Sequence, residues 1–382
     1  MIVEAVRVIL TGGGTGGHLF PALAILESLE RRVFCETLFV GTRHGLEAKV
    51  VRQQGYDFKT VWISGLKRGR IWTNLLFPLK MAVSLVQSLW IVLRFRPDVV
   101  VGTGGYVSWP VLTAACLLRK KTLVQEQNEK PGLVTKVLSV CVHSLHLSFE
   151  QSKQYFWRTS NLNVSGNPTR DNLEGISRKE GCRRFKLDPK NKTLFIFGGS
   201  QGARNLNVAM LDMIERLVSD PRVQVLWASG PRWYNDITRK TKNLSDRIRV
   251  LPFIGDMGAA YAAANLVICR SGATTVAEIA RLGLCAVFVP FTGASGGHQE
   301  SNARVLVKAG AGTMVRESEI PHGALEKTIV SLLNHPGHMR SIGKKAKFFG
   351  KPDAAKVIAD DILRLIGPSP RKHPIAEVPR EP

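Results

Sequence analysis

Short apolar runs rich in β-branched residues alternate along this chain with longer segments whose apolar positions recur at helical spacing. In the first half the order is "VRVILT", a helical pattern from Pro21, "TLFVG", "DVVVGTGG", "TLVQEQN" and "SLHLSF". That alternation predicts a parallel sheet with helices on both faces. Near "LNVSGNPTR" the pattern breaks at the turn cluster Gly166, Asn167 and Pro168, and then restarts. "TLFIFGGSQGARNLNVAML" repeats the opening order of strand, glycine loop and helix, and "VQVLWAS", "IRVLPFI", "LVICRSG" and "CAVFVPF" continue it. The expectation is therefore an α/β protein of two tandem Rossmann-like domains, over 1–166 and 167–350, with parallel sheets facing a ligand cleft. A helix over 351–366 is expected to pack back on the first domain, and the proline-rich, charged segment 367–382 to be a disordered tail.

Residues 68 to 97, "RGRIWTNLLFPLKMAVSLVQSLWIVLRFRP", depart from this rhythm. The segment is strongly apolar, but Pro78 and Lys80 interrupt it, and Met81 to Leu93 falls short of the ~20 residues needed to span a bilayer. Lys80, Ser84, Gln87 and Ser88 share one helical face, which makes the helix amphipathic. It reads as a crossover helix packed on the sheet, with an added role for Trp72, Leu75, Leu76 and Leu79 as an apolar patch with a basic rim that docks on an anionic membrane without crossing it.

The 382 residues carry 53 lysines and arginines against 30 acidic residues, a net charge of +23, which calls for an anionic surface or polyanionic partner. No nucleic-acid motif accompanies the charge, so no nucleic-acid partner is expected. Cys35, Cys116, Cys141, Cys182, Cys269 and Cys285 lie far apart without a C-x-x-C pair and read as buried free thiols in a reducing compartment. "MIVEAVRVILTGGG" lacks the regions of a signal peptide, and a cytosolic location is expected.

The first glycine loop, "TGGGTGGHLF", fits G-x-G-x-x-G at Gly12, Gly14 and Gly17. A nicotinamide site also needs an acidic residue about 20 positions later, and Gly41 and Thr42 stand there instead. A P-loop needs Lys and Ser/Thr after the last glycine, where His18 and Leu19 stand. What survives is an amide-rich helix start suited to a phosphate, a sugar or a developing negative charge. At the positive end of a helix dipole His18 is favoured as a neutral imidazole able to accept a proton. The second loop, "GGSQGARN", adds Ser200 and Gln201. A third helix start, "CRSGATTVAEIA", sets Ala273 and Thr274 at its N-terminus and Glu278 one turn on, where a carboxylate can accept two hydrogen bonds from a ribose diol. No close cluster of His and carboxylates suggests a metal, so neither metal nor cofactor is expected.

Six collinear motifs, "GGTGGHLFPALAI", "VVGTGGYVSWP", "QEQNEKPG", "SGNPTR", "GGSQGARNLN" and "RSGATTVAEI", together resemble the MurG family of peptidoglycan glycosyltransferases. The resemblance runs to about residue 365 and implies a GT-B fold and inverting, metal-independent transfer of N-acetylglucosamine from its UDP donor. The implied acceptor is undecaprenyl-diphosphate-linked N-acetylmuramoyl-pentapeptide, lipid I, and the implied setting is the cytoplasmic face of the inner membrane, with cell-wall synthesis proteins as further partners. It assigns His18 as the first candidate for general base and Glu126 as the alternative, and puts Gly14, Gly104, Gly105 and Tyr106 on the acceptor side. Thr15, Gly16, Gly17 and Asn128 are expected beside the reacting sugar, with Arg170, Ser200, Gln201, Ile254, Ala273, Thr274, Glu278, His298 and Gln299 completing the donor site. Asn302 is expected close by. Two departures concern the site: "FTGASGGHQ" is richer in small residues than the family pattern, and Glu129-Lys130-Pro131 replaces small or apolar residues. Three other functions stay open: transfer to another glycolipid or diacylglycerol, a non-catalytic nucleotide-binding scaffold at the membrane, and, weakest for want of the ribose acid, a nicotinamide dehydrogenase.

Overall fold

A computed structural model describes residues 5–65, 75–199 and 201–367. Trp72, Ser200 and the expected tail from 368 onward lie outside the described residues. The chain forms two compact units, one running to Thr169 and resuming at Pro352, the other Arg170–Lys351. The first boundary falls just beyond the predicted turn because Asn167 and Thr169 are buried in the first unit, where Gln125 Nε2 donates to Asn167 Oδ1 at 3.3 Å.

The first unit contains β1 (Val6–Thr11), α1 (Gly16–Glu30), β2 (Cys35–Gly41), α2 (Leu46–Gln53), β3 (Asp57–Thr60), α3 (Phe77–Phe95), β4 (Val99–Gly102), α4 (Ser108–Leu117), β5 (Lys121–Glu126), α5 (Leu133–Leu138), β6 (Ser144–Leu147) and β7 (Leu162–Asn163). All strand pairs are parallel, in the order β3-β2-β1-β4-β5-β6-β7. Val6, Val8 and Leu10 of β1 pack with Leu19, Leu23 and Leu26 of α1, whereas Ile9 faces the layer of Val92, Val111 and Leu112. Both faces are covered, so the strands read as unbroken apolar runs.

The second unit contains α6 (Arg178–Arg184), β8 (Lys192–Phe197), α7 (Arg204–Val218), β9 (Val223–Ala228), α8 (Tyr234–Thr241), β10 (Ile248–Leu251), α9 (Met257–Ala263), β11 (Leu266–Cys269), α10 (Ala273–Leu282), β12 (Ala286–Phe288), α11 (His298–Lys308), β13 (Thr313–Met314), α12 (Ala324–Asn334) and α13 (Pro336–Lys347). Its parallel sheet has the order β10-β9-β8-β11-β12-β13. The last helix, α14 (Ala354–Ile366), returns to the first unit and packs on α1, burying Ile358, Ala359 and Ile362. A buried hydrogen bond of 2.9 Å between His146 Nε2 on β6 and Asp361 Oδ2 fixes it there. Burial raises the Asp361 carboxyl pKa, but hydrogen bonds from His146, Ser144 and Arg364 outweigh that and hold it well below the usual carboxylate range.

α3 turns its polar residues inward together with part of its apolar ones. Ser84 and Ser88 are fully buried, Gln87 Oε1 accepts the Trp62 N–H at 2.8 Å, and Lys80 Nζ donates to Ser64 at 3.1 Å. The apolar face carries Leu79, Val86, Trp90 and Leu93, each more than half exposed. The inward face also carries Ile91 and Val92, buried in the core with Leu85 and Leu89 packed against it, so α3 is apolar on both sides and leaves a large apolar face unburied. Among the described residues it is the one helix long and apolar enough to cross a membrane.

Candidate functional site

In each sheet the strand order reverses once, between β1 and β4 in the first unit and between β8 and β11 in the second. Ligands of open α/β sheets bind outside the carboxyl ends of the strands at such a reversal. The loops found there are the glycine-rich segments singled out from the sequence: 12–17 after β1, 103–106 after β4, 198–203 after β8, and 270–273 leading into α10.

In the first unit Thr15 caps α1, Gly16 and Gly17 form its first residues, and His18 follows one residue on. Gly104, Gly105 and Tyr106 come alongside from the loop after β4. Gly105 has φ +81, and a Cβ there would stand 2.6 Å from Gly13 O, so the two glycine loops approach as closely as backbone can. His18 Nδ1 lies 2.9 Å from Thr103 O and 3.0 Å from Gln127 Oε1. The Gln127 amide is oriented by its own Nε2, which donates to Thr103 O, Gln125 O and Gln125 Oε1. Both atoms facing Nδ1 are therefore carbonyl oxygens, so Nδ1 carries the proton and Nε2 is the nitrogen left to accept one.

Glu126, the alternative candidate for the base, is tied to its own loop. It is 3 % exposed; Oε1 accepts the Asn128 N–H at 3.0 Å and Oε2 the Gly132 N–H at 3.1 Å. Its carboxylate holds the loop between β5 and α5, with the Asn128 side chain donating to the same Oε1 at 3.3 Å. Strand alternation explains the division: Leu123 faces the α1 layer and Val124 the α3–α4 layer, so Gln125 and Gln127 continue the first face toward His18 and Glu126 the second. Gln127, itself held by Gln125, is the neighbour that orients His18.

Glu47, in the first turn of α2, was also missed. It is 1 % exposed, and Oε2 accepts the Gly14 N–H at 3.1 Å while Oε1 accepts the Thr42 N–H at 3.0 Å and Oγ1 at 2.7 Å. The positive end of α2 supports the charge. A carboxylate does follow β2, but it serves the glycine loop instead of a ribose.

In the second unit Gly202 (φ +76) would put a Cβ 2.2 Å from Ser229 O, so the loop carrying exposed Gln201 is pressed onto the turn after β9. Ala273 and Thr274 open α10, and Glu278 lies one turn further on, buried. Glu278 Oε2 accepts the Tyr261 O–H at 2.8 Å, and Arg170 Nε stands 3.8 Å from Oε1, which has no hydrogen-bond partner among the described residues. Burial raises the Glu278 carboxyl pKa, opposed by Arg170 and Tyr261. A buried carboxylate oxygen with open acceptor capacity fits the hydroxyls of a ribose. Ile254 is buried in the turn after β10. His298 opens α11 near the loop 291–297. Gln299 Oε1 accepts the Phe291 N–H at 2.9 Å, which commits the Gln299 carbonyl to shaping that loop. Glu317 clamps the same loop, accepting Thr292 Oγ1 at 2.6 Å and pairing with Arg270 at 2.5 Å. Asn302 is buried behind it, its Nδ2 3.5 Å from Ser271 O. Among the described residues no group of three or more His, Cys, Asp or Glu side chains is placed to hold a metal.

Two parallel α/β units, each with glycine-rich loops at its sheet reversal, have the architecture of the GT-B glycosyltransferases. Residues 8–146 match the glycosyltransferase family 28 N-terminal domain, and residues 193–358 match the glycosyltransferase family 28 C-terminal domain. The chain belongs to the MurG family of glycosyltransferases. It is 38% identical over 367 residues to the UDP-N-acetylglucosamine--N-acetylmuramyl-(pentapeptide) pyrophosphoryl-undecaprenol N-acetylglucosamine transferase of Chlorobium limicola, covering 95% of this chain and 100% of the relative. The protein of the same name from Desulforudis audaxviator is 39% identical over 372 residues, with 96% and 100% covered. The crystal structure of Acinetobacter baumannii MurG is similar at a TM-score of 0.75 and 27% identity, covering 94% of this chain and 99% of that one.

Proposed function

We infer that this protein transfers N-acetylglucosamine from UDP-N-acetylglucosamine to the C4 hydroxyl of lipid I, giving lipid II with inversion at the anomeric carbon. The observation that carries the chemistry is the fixed tautomer of His18. With Nδ1–H held by Thr103 O and Gln127 Oε1, Nε2 takes the proton of the acceptor hydroxyl as that oxygen attacks C1 of the donor sugar. The electron pair of the broken C1–O bond leaves with UDP. Amides at the start of α10 and in the loop after β8 stabilise the diphosphate, and Glu278 takes the ribose hydroxyls through Oε1, which has no hydrogen-bond partner among the described residues.

The test is transfer of radiolabelled UDP-N-acetylglucosamine to a lipid I analogue, with product identification. His18→Ala is expected to lower kcat by roughly 10²–10⁴-fold with donor affinity retained. Turnover near that of wild type removes His18 as the base; no transfer by wild type removes the function, and transfer to a different lipid acceptor redirects it.

The outward apolar face of α3 and the net charge of +23 support peripheral attachment to the anionic cytoplasmic face of the inner membrane, where the acceptor is anchored. Trp90→Glu with Leu79→Glu is expected to abolish co-sedimentation with phosphatidylglycerol vesicles while leaving transfer to a soluble lipid I analogue intact. Undiminished vesicle binding rules this surface out.

A further inference from the structure

Cys116, near the end of α4, and Cys141, in the turn between α5 and β6, are separated by 25 residues, yet their Sγ atoms lie 3.2 Å apart with the Cys116 S–H donating to Cys141. They do not fit the expectation of buried thiols: Cys141 is exposed and Cys116 half-buried, while Cys182, Cys269 and Cys285 are buried. Arg158 Nη1 donates to Val140 O at 2.9 Å, which keeps its positive charge near enough to act on Cys141. The hydrogen bond from Cys116 favours the Cys141 thiolate; burial works against it, and Arg158 adds to it, so this thiol is lowered to about 7. Cys116 moves the other way, because its proton is shared with Cys141 and its burial disfavours charge. The pair thus has an accessible nucleophilic sulfur and a resolving thiol already in contact.

We propose that Cys116 and Cys141 form a reversible dithiol–disulfide site, oxidised by low-molecular-weight disulfides. The Cys141 thiolate attacks one sulfur of the reagent disulfide, forming a mixed disulfide and releasing one thiolate. Cys116 then attacks Cys141 Sγ, its proton passing to the second departing thiolate. Two protein thiols are oxidised, one reagent disulfide is reduced to two thiols, and the Cys116–Cys141 bond forms. In a reducing compartment such a bond is transient, which suits a redox-responsive site.

The full-length protein is treated with glutathione disulfide near neutral pH and its peptides are mapped by mass spectrometry. Wild type is expected to lose two hydrogens and yield the 116–141 crosslinked peptide, reversed by dithiothreitol. Cys116→Ser is expected to stop at a stable glutathione adduct on Cys141, formed about tenfold faster than any adduct on Cys35, whose thiol burial pushes up to about 12. Cys141→Ser is expected to leave Cys116 unmodified over the same period. Glutathione adducts on wild-type Cys116 or Cys141 that never resolve into the crosslink overturn the proposal, as do unreacted thiols at both positions.

Discussion

The Glu47 carboxylate offers the sharpest test of how the first glycine loop is held. Three donors converge on it, the Gly14 N–H at 3.1 Å, the Thr42 N–H at 3.0 Å and Thr42 Oγ1 at 2.7 Å, with no room to rearrange: a Cβ at Gly13 or Gly45 would come within 2.5 or 2.2 Å of it. Glu47→Gln preserves the volume but has one oxygen. With that oxygen toward Thr42, the new NH₂ group faces the Gly14 N–H, donor against donor. The loss is one hydrogen bond to a charged group, about 1.5–3 kcal/mol. It falls on the loop leading into His18, so kcat/KM for transfer to a lipid I analogue is expected to drop roughly 10- to 150-fold. UDP affinity should stay unchanged, since the nucleotide site proposed above is built from the other unit. The assay pairs steady-state kinetics with UDP titration by calorimetry. A kcat/KM within twofold of wild type, at an unchanged melting temperature, refutes the idea that this carboxylate sets the loop. An equal loss of UDP binding shows a global defect in its place.

Gln127→Leu removes the oxygen that orients His18; kcat is expected to fall about tenfold and the acidic limb of the pH–rate profile, which reports the base, to move, whereas an unmoved profile denies Gln127 any role beyond packing. Glu278→Ala should raise the donor KM about 10- to 100-fold with little change in acceptor KM, as read from two-substrate kinetics. Asp361, whose carboxyl is held below its ordinary value, stabilises the fold above about pH 4 and loses that contribution as the pH falls toward its folded value. Asp361→Asn should therefore melt roughly 3–10 °C lower at pH 7 and converge with wild type in acid; a constant gap across pH contradicts the linkage.

The parallel strands and glycine loops were legible because apolar runs and glycines act locally: "VILTGGG" and "LFIFGGS" announce a strand ending in a tight turn wherever they occur. The site's finer wiring was not. In "QEQN" the choice between Gln125 and Gln127 on one side and Glu126 on the other rests on which strand face meets α1, and residue type favoured the charged member. Glu47 escaped notice because the missing acid was sought at Gly41 and Thr42, at the end of β2, whereas it stands in the next helix. The amphipathic pattern of α3 was plain, but a pattern does not say which face points inward, and here Ser84 and Ser88 are buried beside Ile91 and Val92. Cys116 and Cys141 carry no spacing signal, since the turn after α5 brings them together.

The return of α14 to the first unit sets an order for biosynthesis. Ile358, Ala359 and Ile362 complete the core beside α1, yet the whole of Arg170–Lys351 intervenes in the chain. At ~5–20 residues per second the ribosome spends roughly 10–35 s on that stretch. During that interval the second unit can finish folding, while the first is left with an open apolar groove along α1. A nascent chain with that groove open and the outward face of α3 exposed is a natural client for chaperones or the membrane surface. Truncation before residue 354 should trap the protein in that state.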